Sequence, residues 1–330
     1  MSGMGILVTG GCGFIGSNFI RLMLARHPDW RIRNIDKLTY AGRLENAKDF
    51  AGNPNYEFVR SNICDKSQVE AAMKDIDWVV HFAAESHVDR SISDHTEFLK
   101  SNVEGTCVLL DAASKAGVKK FVHISTDEVY GSIQRGSFKE TRLLHPRSPY
   151  SASKAAAEMF VHAYRETHGL KTVITRSSNN YGPYQFPEKL IPLFITNLMR
   201  GKKVPVYGTG LNVRDWLYVE DNCEGIEAAL LKGKDGEIYN IGGGEERTNL
   251  EITKMILAAL GKPESMIEHV EDRKGHDFRY SLDCSKIKKE TGFAPKVKLE
   301  EGLKKTVDWY MKNEWWWAPL TDNKHSGGTQ

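Results

Sequence analysis

The first 177 residues alternate short, β-branched apolar runs with longer stretches of helical spacing. Ile6-Leu7-Val8, Arg31 to Ile35, Tyr56 to Val59, Trp78 to Phe82, Phe121 to Ser125 and Thr172 to Thr175 are predicted strands. Helices are expected between them, one from Ser17 to about Arg26 and another from about Thr96 to Ala116, stopped by Gly117. Strands that alternate with helices pair in parallel, because each crossover needs about a dozen residues or more. Such a sheet is covered on both faces, which suits continuously apolar strands such as Trp78-Val79-Val80. The pattern predicts an α/β fold built on a doubly wound parallel sheet.

After Ser177 the texture changes. Pro183, Pro187, Pro192 and Pro205 cut the chain into short pieces, and Gly208, Gly210 and Gly242 to Gly244 add turns. We read residues 1–177 as the sheet domain, completed by segments from the second half. Residues 178–330 then form mainly a smaller α/β lobe that holds substrate. The end, from about Thr321 through Ser326-Gly327-Gly328, reads as frayed. Trp315-Trp316-Trp317 lacks the basic amphipathic face of a membrane anchor, so packing against the second lobe is expected.

Composition narrows the function. Forty-five Lys+Arg against 43 Asp+Glu leave a formal charge of +2, which gives no bulk field to recruit nucleic acid. No apolar run approaches the roughly 20 residues of a bilayer span, so no membrane partner is expected. Met1-Ser2-Gly3-Met4 runs straight into a predicted strand and is read as leaving no room for a signal peptide. Five scattered cysteines without a C-x-x-C pair point to reduced thiols in a cytoplasm and to no metal site.

Candidate chemistry begins at Gly10-Gly11-Cys12-Gly13-Phe14-Ile15-Gly16, between the first strand and the first helix. Glycine lets a backbone turn tightly and approach a pyrophosphate, and the helix start then offers N–H groups to the phosphates. Asp36 follows 20 residues after Gly16, at the end of the second strand. A carboxylate there accepts both hydroxyls of an adenosine ribose and repels a 2′-phosphate, which favours NAD over NADP. Further on, Ser148 and Pro149 form a helix-start signature that places Tyr150 and Lys154 four apart, on one helix face. A nearby ammonium should lower the phenol's pKa and make it a usable base.

With these motifs in place, the chain resembles the extended short-chain dehydrogenases/reductases, and within them the nucleotide-sugar 4,6-dehydratases. The resemblance runs from the glycine loop almost to the C-terminus. It includes Asp36-Lys37-Leu38-Thr39-Tyr40-Ala41-Gly42, Ala83-Ala84-Glu85-Ser86-His87-Val88-Asp89-Arg90-Ser91, Ser125-Thr126-Asp127-Glu128-Val129-Tyr130-Gly131, Ser178-Asn179-Asn180-Tyr181-Gly182-Pro183 and Arg214-Asp215-Trp216. It implies a Rossmann sheet, a homodimer formed through the helices containing Asn102 to Ala116 and starting at Tyr150, and NAD as cofactor. The implied substrate is a glucose carried on a thymidine diphosphate, with the uridine form as the alternative.

By the same resemblance, Gly10, Gly13, Phe14, Ile15, Gly16, Asp36, Lys37, Leu38, Thr39, Gly42, Asn62, Ile63, Phe82, Ala83, Ala84, Ser86, Ser101, Tyr150, Lys154 and Asn180 contact the cofactor. Ser86, Thr126, Asn179, Lys189, Leu190, Pro205, Val206, Tyr207, Arg214, Asn249, Arg273 and His276 surround the sugar nucleotide, with the two arginines on its diphosphate. Thr126, Tyr150 and Lys154 form an oxidation triad, Glu128 is the base at C5 and a protonated Asp127 is the acid at O6. Related epimerases lack the Asp-Glu pair, and related decarboxylases and GDP-mannose dehydratases tend to carry serine at position 127. Such an epimerase or decarboxylase is therefore the second reading. A non-catalytic NAD sensor is the third, disfavoured because both Tyr150 and Lys154 are present. Cys12, Asn62, Ser101 and Lys274 depart from the usual alanine, aspartate, threonine and proline.

Overall fold

The computed structural model describes residues 3–273 and 275–322; Lys274 and the segment Ser326-Gly327-Gly328 lie outside the described residues. In chain order the strands are β1 (Gly5–Thr9), β2 (Arg31–Asp36), β3 (Tyr56–Arg60), β4 (Trp78–His81), β5 (Lys120–Thr126), β6 (Thr172–Ser177), β7 (Asn179–Tyr181), β8 (Val204–Tyr207), β9 (Val213–Tyr218), β10 (Ile238–Ile241), β11 (Glu246–Thr248) and β12 (Ile267–Val270). One parallel sheet runs in the order β10-β6-β5-β4-β1-β2-β3. The order reverses between β1 and β4, the switch point beside which doubly wound folds place their ligands.

The alternation of side chains along each strand builds two buried layers. Ile6, Val8, Val80, Val122 and Val173 pack with Phe19, Ile20 and Met23 of the helix Phe14–Arg26 and with Ile226 and Leu230 of the helix Val219–Lys232. On the other face Leu7, Val79, Phe121 and Ile174 pack with Leu109, Leu110 and Ala113 of the helix Gly105–Lys115 and with Val161 of the helix Pro149–His168. The sheet is the α/β fold that the hydrophobic pattern predicts.

Two helices depart from expectation. The first starts at Phe14 rather than Ser17, because Gly13 at its N-cap is already extended and the glycine loop flows into the first turn. The second is split into Thr96–Phe98, a π-helical stretch Leu99–Glu104 and Gly105–Lys115. The wide turn carries buried Asn102, whose amide donates to the Glu85 carbonyl and the Ser153 hydroxyl and whose oxygen accepts from the Glu85 N–H. Wide turns of this kind recur at functional sites. Here it clamps the β4 exit to the helix that carries Tyr150.

The second lobe adds the sheets β11-β9-β7 and β12-β8 around a core that includes Tyr181, Phe194, Ile252, Leu303 and Tyr310. Trp316 and Trp317 belong to this core at 1% and 0% exposure, while Trp315 is half exposed. They hold the helix Glu314–Asp322 in place, so Thr321 is helical and not frayed. Among the described residues no helix is long and apolar enough to cross a membrane.

Candidate active site

A groove of about 340 Å³ opens along the C-terminal ends of the parallel strands. Every residue expected around the dinucleotide lines it except Leu38. Leu38 takes a left-handed φ of 58°, and its N–H donates to Asp36 Oδ1 at 2.8 Å. It shapes the turn rather than the wall. Gly10 has φ 70°, and a Cβ there would sit 2.7 Å from the Ala83 backbone. At Gly16 a Cβ would meet the Gly10 carbonyl at 2.4 Å. A Cβ on Gly13 would meet just one protein atom, at 3.2 Å, and the residue lines the groove. The N-cap of the helix Phe14–Arg26 makes no side-chain hydrogen bond, which leaves its first turn facing the groove. Asp36 Oδ2 accepts from the Cys12 N–H at 2.9 Å, which aims the carboxylate at the groove. Buried Asn179 Oδ1, Asn180 Oδ1 and Gln185 Oε1 line the groove without protein partners. A close-approach backbone, an acid beyond it and orphaned polar atoms together fit a dinucleotide.

The reactive groups stand where β5 ends. Thr126 is the last residue of the strand, and its hydroxyl caps the short turn Asp127–Tyr130 by accepting from the Glu128 N–H. Opposite lies the helix Pro149–His168. Ser148 caps it in a mutual capping box with Ser151, Pro149 is its first residue, and Gly169 closes it at φ 68°. Tyr150 and Lys154 project from its first turns into the same groove as Thr126, Asp127 and Glu128.

Asp127 is 2% exposed, and its carboxyl is pushed well above the ordinary range by burial, then by the charges of Glu128 and Asp215, against Arg214. Its Oδ2 has no partner. Half-buried Glu128 is also raised by burial, but Lys189, Arg214 and Arg273 pull it down. Both carboxyls are therefore raised, but acids reinforce the burial of Asp127 while cations temper the rise of Glu128, a difference of the kind that sorts an acid from a base.

The expected lowering of Tyr150 by Lys154 does not come from the chain's own groups. Burial and then Glu128 raise the phenol, while a hydrogen bond with Thr126 lowers it. The Lys154 ammonium instead donates to the Ile124 carbonyl at 2.6 Å, and burial brings it down to about 8 against the pull of Glu158. Sharing a helix face put the two side chains together. It did not decide which neighbour the ammonium would choose.

A second cavity of about 220 Å³ adjoins the groove through Glu128, Asn179, Asn180, Gln185, Glu188 and Lys189. Of the residues expected around the sugar nucleotide, Asn179, Lys189, Leu190, Pro205, Val206, Tyr207, Arg214, Asn249, Arg273 and His276 line it; Ser86 and Thr126 line the groove. Its cations are engaged within the chain. Arg273 Nε and Nη2 face Asp89 Oδ1 and Oδ2 at 2.5 and 2.9 Å. Arg214 donates to the Val213 and Asp277 carbonyls and lies over the Tyr280 ring. Lys189 donates to the Ser86 carbonyl at 2.9 Å.

Some site residues escaped the sequence reading. Glu188 accepts from the Tyr40 hydroxyl at 2.8 Å and from Arg90 at 3.3 Å, tying the loop after β2 to both cavities. Asp89, Gln185 and Trp216 are further wall residues. The signal available for Glu188 was its place beside Lys189, in a stretch whose prolines drew attention first. Among the departures, Cys12 is fully buried with its thiol pushed up to about 12 by burial, so it acts as a small apolar filler. Asn62 lines the groove, and its side-chain oxygen accepts from the Cys64 N–H. Among the described residues no cluster of His, Cys, Asp and Glu could hold a metal.

Sheet, glycine loop and tyrosine–lysine helix define an extended short-chain dehydrogenase/reductase. Within that class the chain belongs to the GDP-mannose 4,6 dehydratase family, whose model matches residues 7–306. It is 51% identical to a dTDP-glucose 4,6-dehydratase of Streptomyces niveus over 99% of this chain and 98% of that one. Among solved structures, DesIV, a dTDP-glucose 4,6-dehydratase from Streptomyces venezuelae with NAD and TYD bound, superposes with a TM-score of 0.95 at 51% identity, covering 96% of this chain and 100% of that one. A UDP-glucose 4-epimerase from Thermotoga maritima reaches a TM-score of 0.88 at 34% identity, covering 94% and 100%.

Proposed function

We propose that this chain is an NAD-dependent hydro-lyase that converts dTDP-glucose to dTDP-4-keto-6-deoxyglucose. The observation that carries the reading is the Asp127–Glu128 pair at the junction of the two cavities, both raised by burial, Asp127 further by neighbouring acids while cations temper Glu128. In this reading the glycine loop, Asp36 and the groove residues named above hold NAD. Bound NAD supplies a hydride acceptor for C4 and a hydride source for C6.

The chain's own groups handle the protons. Tyr150 takes the proton from O4, with the Thr126 hydroxyl beside it and the Lys154 charge behind it. Once C4 is a ketone the C5 proton is acidic, and Glu128 removes it. Asp127 gives its proton to O6, which leaves as water. Glu128 then returns its proton to C5. Each positioned proton-transfer group contributes about 10²–10⁴-fold. Arg214, Arg273 and Lys189 supply the charge that a buried diphosphate requires.

The product is a ketosugar from which deoxyhexoses are made, as in a rhamnose route, and the setting is cytoplasmic. The active species is a homodimer joined through the helices Gly105–Lys115 and Pro149–His168. Leu99, Met159 and Phe160, exposed on or beside those helices, support this arrangement. Light scattering that finds a monomer at working concentration would contradict it. The activity is tested by offering dTDP-glucose and UDP-glucose in parallel to the NAD-loaded protein. The 4-keto-6-deoxy product is expected from dTDP-glucose, and its absence from both reactions refutes the reading.

A further inference from the structure

The proposed reaction does not balance its protons residue by residue. Tyr150 gains one from O4 and the product keeps C4 as a ketone, so that proton never returns to the sugar. Asp127 loses one to the departing water. Glu128 takes a proton from C5 and gives it back. After each turnover Tyr150 therefore holds one proton too many and Asp127 one too few. Before the next cycle the phenol must shed that proton and the carboxyl must regain one, and a direct path between them would do both.

A side chain stands between the two. The Thr126 hydroxyl donates to Asp127 Oδ1 at 3.2 Å and accepts from the Glu128 N–H at 3.3 Å. It lines the groove beside Tyr150, whose phenol oxygen accepts from it, a bond that lowers the phenol's pKa. A hydroxyl has one proton to give and two lone pairs. The single proton serves Asp127 Oδ1 and the Tyr150 oxygen in turn and the Glu128 N–H takes one lone pair, so the second lone pair is open to the phenol once Tyr150 has gained the O4 proton. All of these partners belong to the reactive centre. Tyr150, Thr126 and Asp127 are 8%, 9% and 2% exposed, so bulk water competes poorly along this line. Asp127 Oδ2, the oxygen that Thr126 does not touch, is buried and unpartnered. The carboxyl can accept at one oxygen and, after turning about its Cβ–Cγ bond, deliver from the other.

We propose that Thr126 is the proton relay that resets the enzyme. The phenol passes its proton to Thr126 Oγ, and the hydroxyl passes its own proton to Asp127. One O–H bond forms as one breaks at each oxygen, and the net change is one proton moved from Tyr150 to Asp127. No oxidant or further reactant is involved. The inference rests on the functional reading above and assigns Thr126 a second task beside its contact with O4.

The test compares Thr126→Val, which keeps the shape and loses the hydroxyl, with Thr126→Ser, which keeps the hydroxyl. Both are loaded with NAD, mixed rapidly with excess dTDP-glucose and followed from the first turnover onward. The valine variant should give a burst of about one product per site, then a steady phase roughly 10²-fold slower, the lower end of what a positioned proton-transfer group supplies. Small buffers such as formate or imidazole should speed that steady phase and leave the burst unchanged. The serine variant should show neither the burst nor the buffer effect. A valine variant with no burst, or with a slow phase indifferent to buffer, overturns the relay. If the unsubstituted protein makes no 4-keto-6-deoxy product, the functional reading itself fails, a result distinct from the loss of the relay alone.

Discussion

The two cavities are made of different material. The dinucleotide groove is walled by backbone: Gly10, Gly13 and Gly16 leave room that a Cβ would close or intrude upon, and the Cys12 N–H fixes Asp36. Its shape is preformed. The second cavity is walled by long side chains already partnered within the chain, Arg273 with Asp89, Arg214 with carbonyls and Lys189 with Ser86. A diphosphate entering there must exchange partners with the protein, whereas a dinucleotide need only fit. The reactive carboxyls stand at the join, where one region supplies rigidity and the other charge.

The largest effect is expected at the rigid side. Tyr150→Phe removes the base for the first proton and should lower turnover by about 10³-fold or more. Single-turnover formation of the 4-ketone is the measurement, and substantial residual product would break the assignment. Next comes the join. Asp127→Asn should slow water loss from C6 by roughly 10²-fold while C4 oxidation and NAD binding persist. Solvent deuterium at C5 and water loss at C6 report the two events separately.

The charged side should yield smaller and opposed effects. Arg273→Ala should raise KM for the sugar nucleotide about tenfold, the worth of one charge-assisted contact. Asp89→Asn should lower KM a few-fold, because the arginine no longer has an internal carboxylate to leave. A rise in KM for Asp89→Asn would show that the ion pair organises the cavity instead of competing for it.

The smallest effect is on stability. Asp127 has its folded-state pKa raised well above the unfolded value. Its contribution is therefore complete below the ordinary carboxylate range and is lost as pH rises toward the folded value. Asp127→Asn should flatten that part of the profile of Tm against pH, and an unchanged slope would contradict the raised value.

What the sequence disclosed divides along the same line. The glycine loop, the Ser148–Pro149 helix start and the β-branched strands are local or periodic features, and all were legible without the fold. Asp127 and Glu128 came from the family resemblance, since two neighbouring acids at a strand end would not have stood out alone. The Asp89–Arg273 pair spans 184 positions and the Tyr40–Glu188 bond spans 148, and no local pattern announces either. The direction of Lys154 was missed for a related reason. Helical spacing places a side chain on a face, while the carbonyl that captures its ammonium belongs to β5, another part of the chain.

The dehydration step depends on Asp127 holding its proton at neutral pH, as its strongly raised pKa predicts. Carbon-13 NMR of protein labelled at aspartate side-chain carboxyls, with Asp127→Asn used to assign the signal, reads this directly. A resonance that stays at the position of a neutral carboxylic acid through pH 7 is the predicted result. A shift to the carboxylate position at or below pH 5 would contradict it.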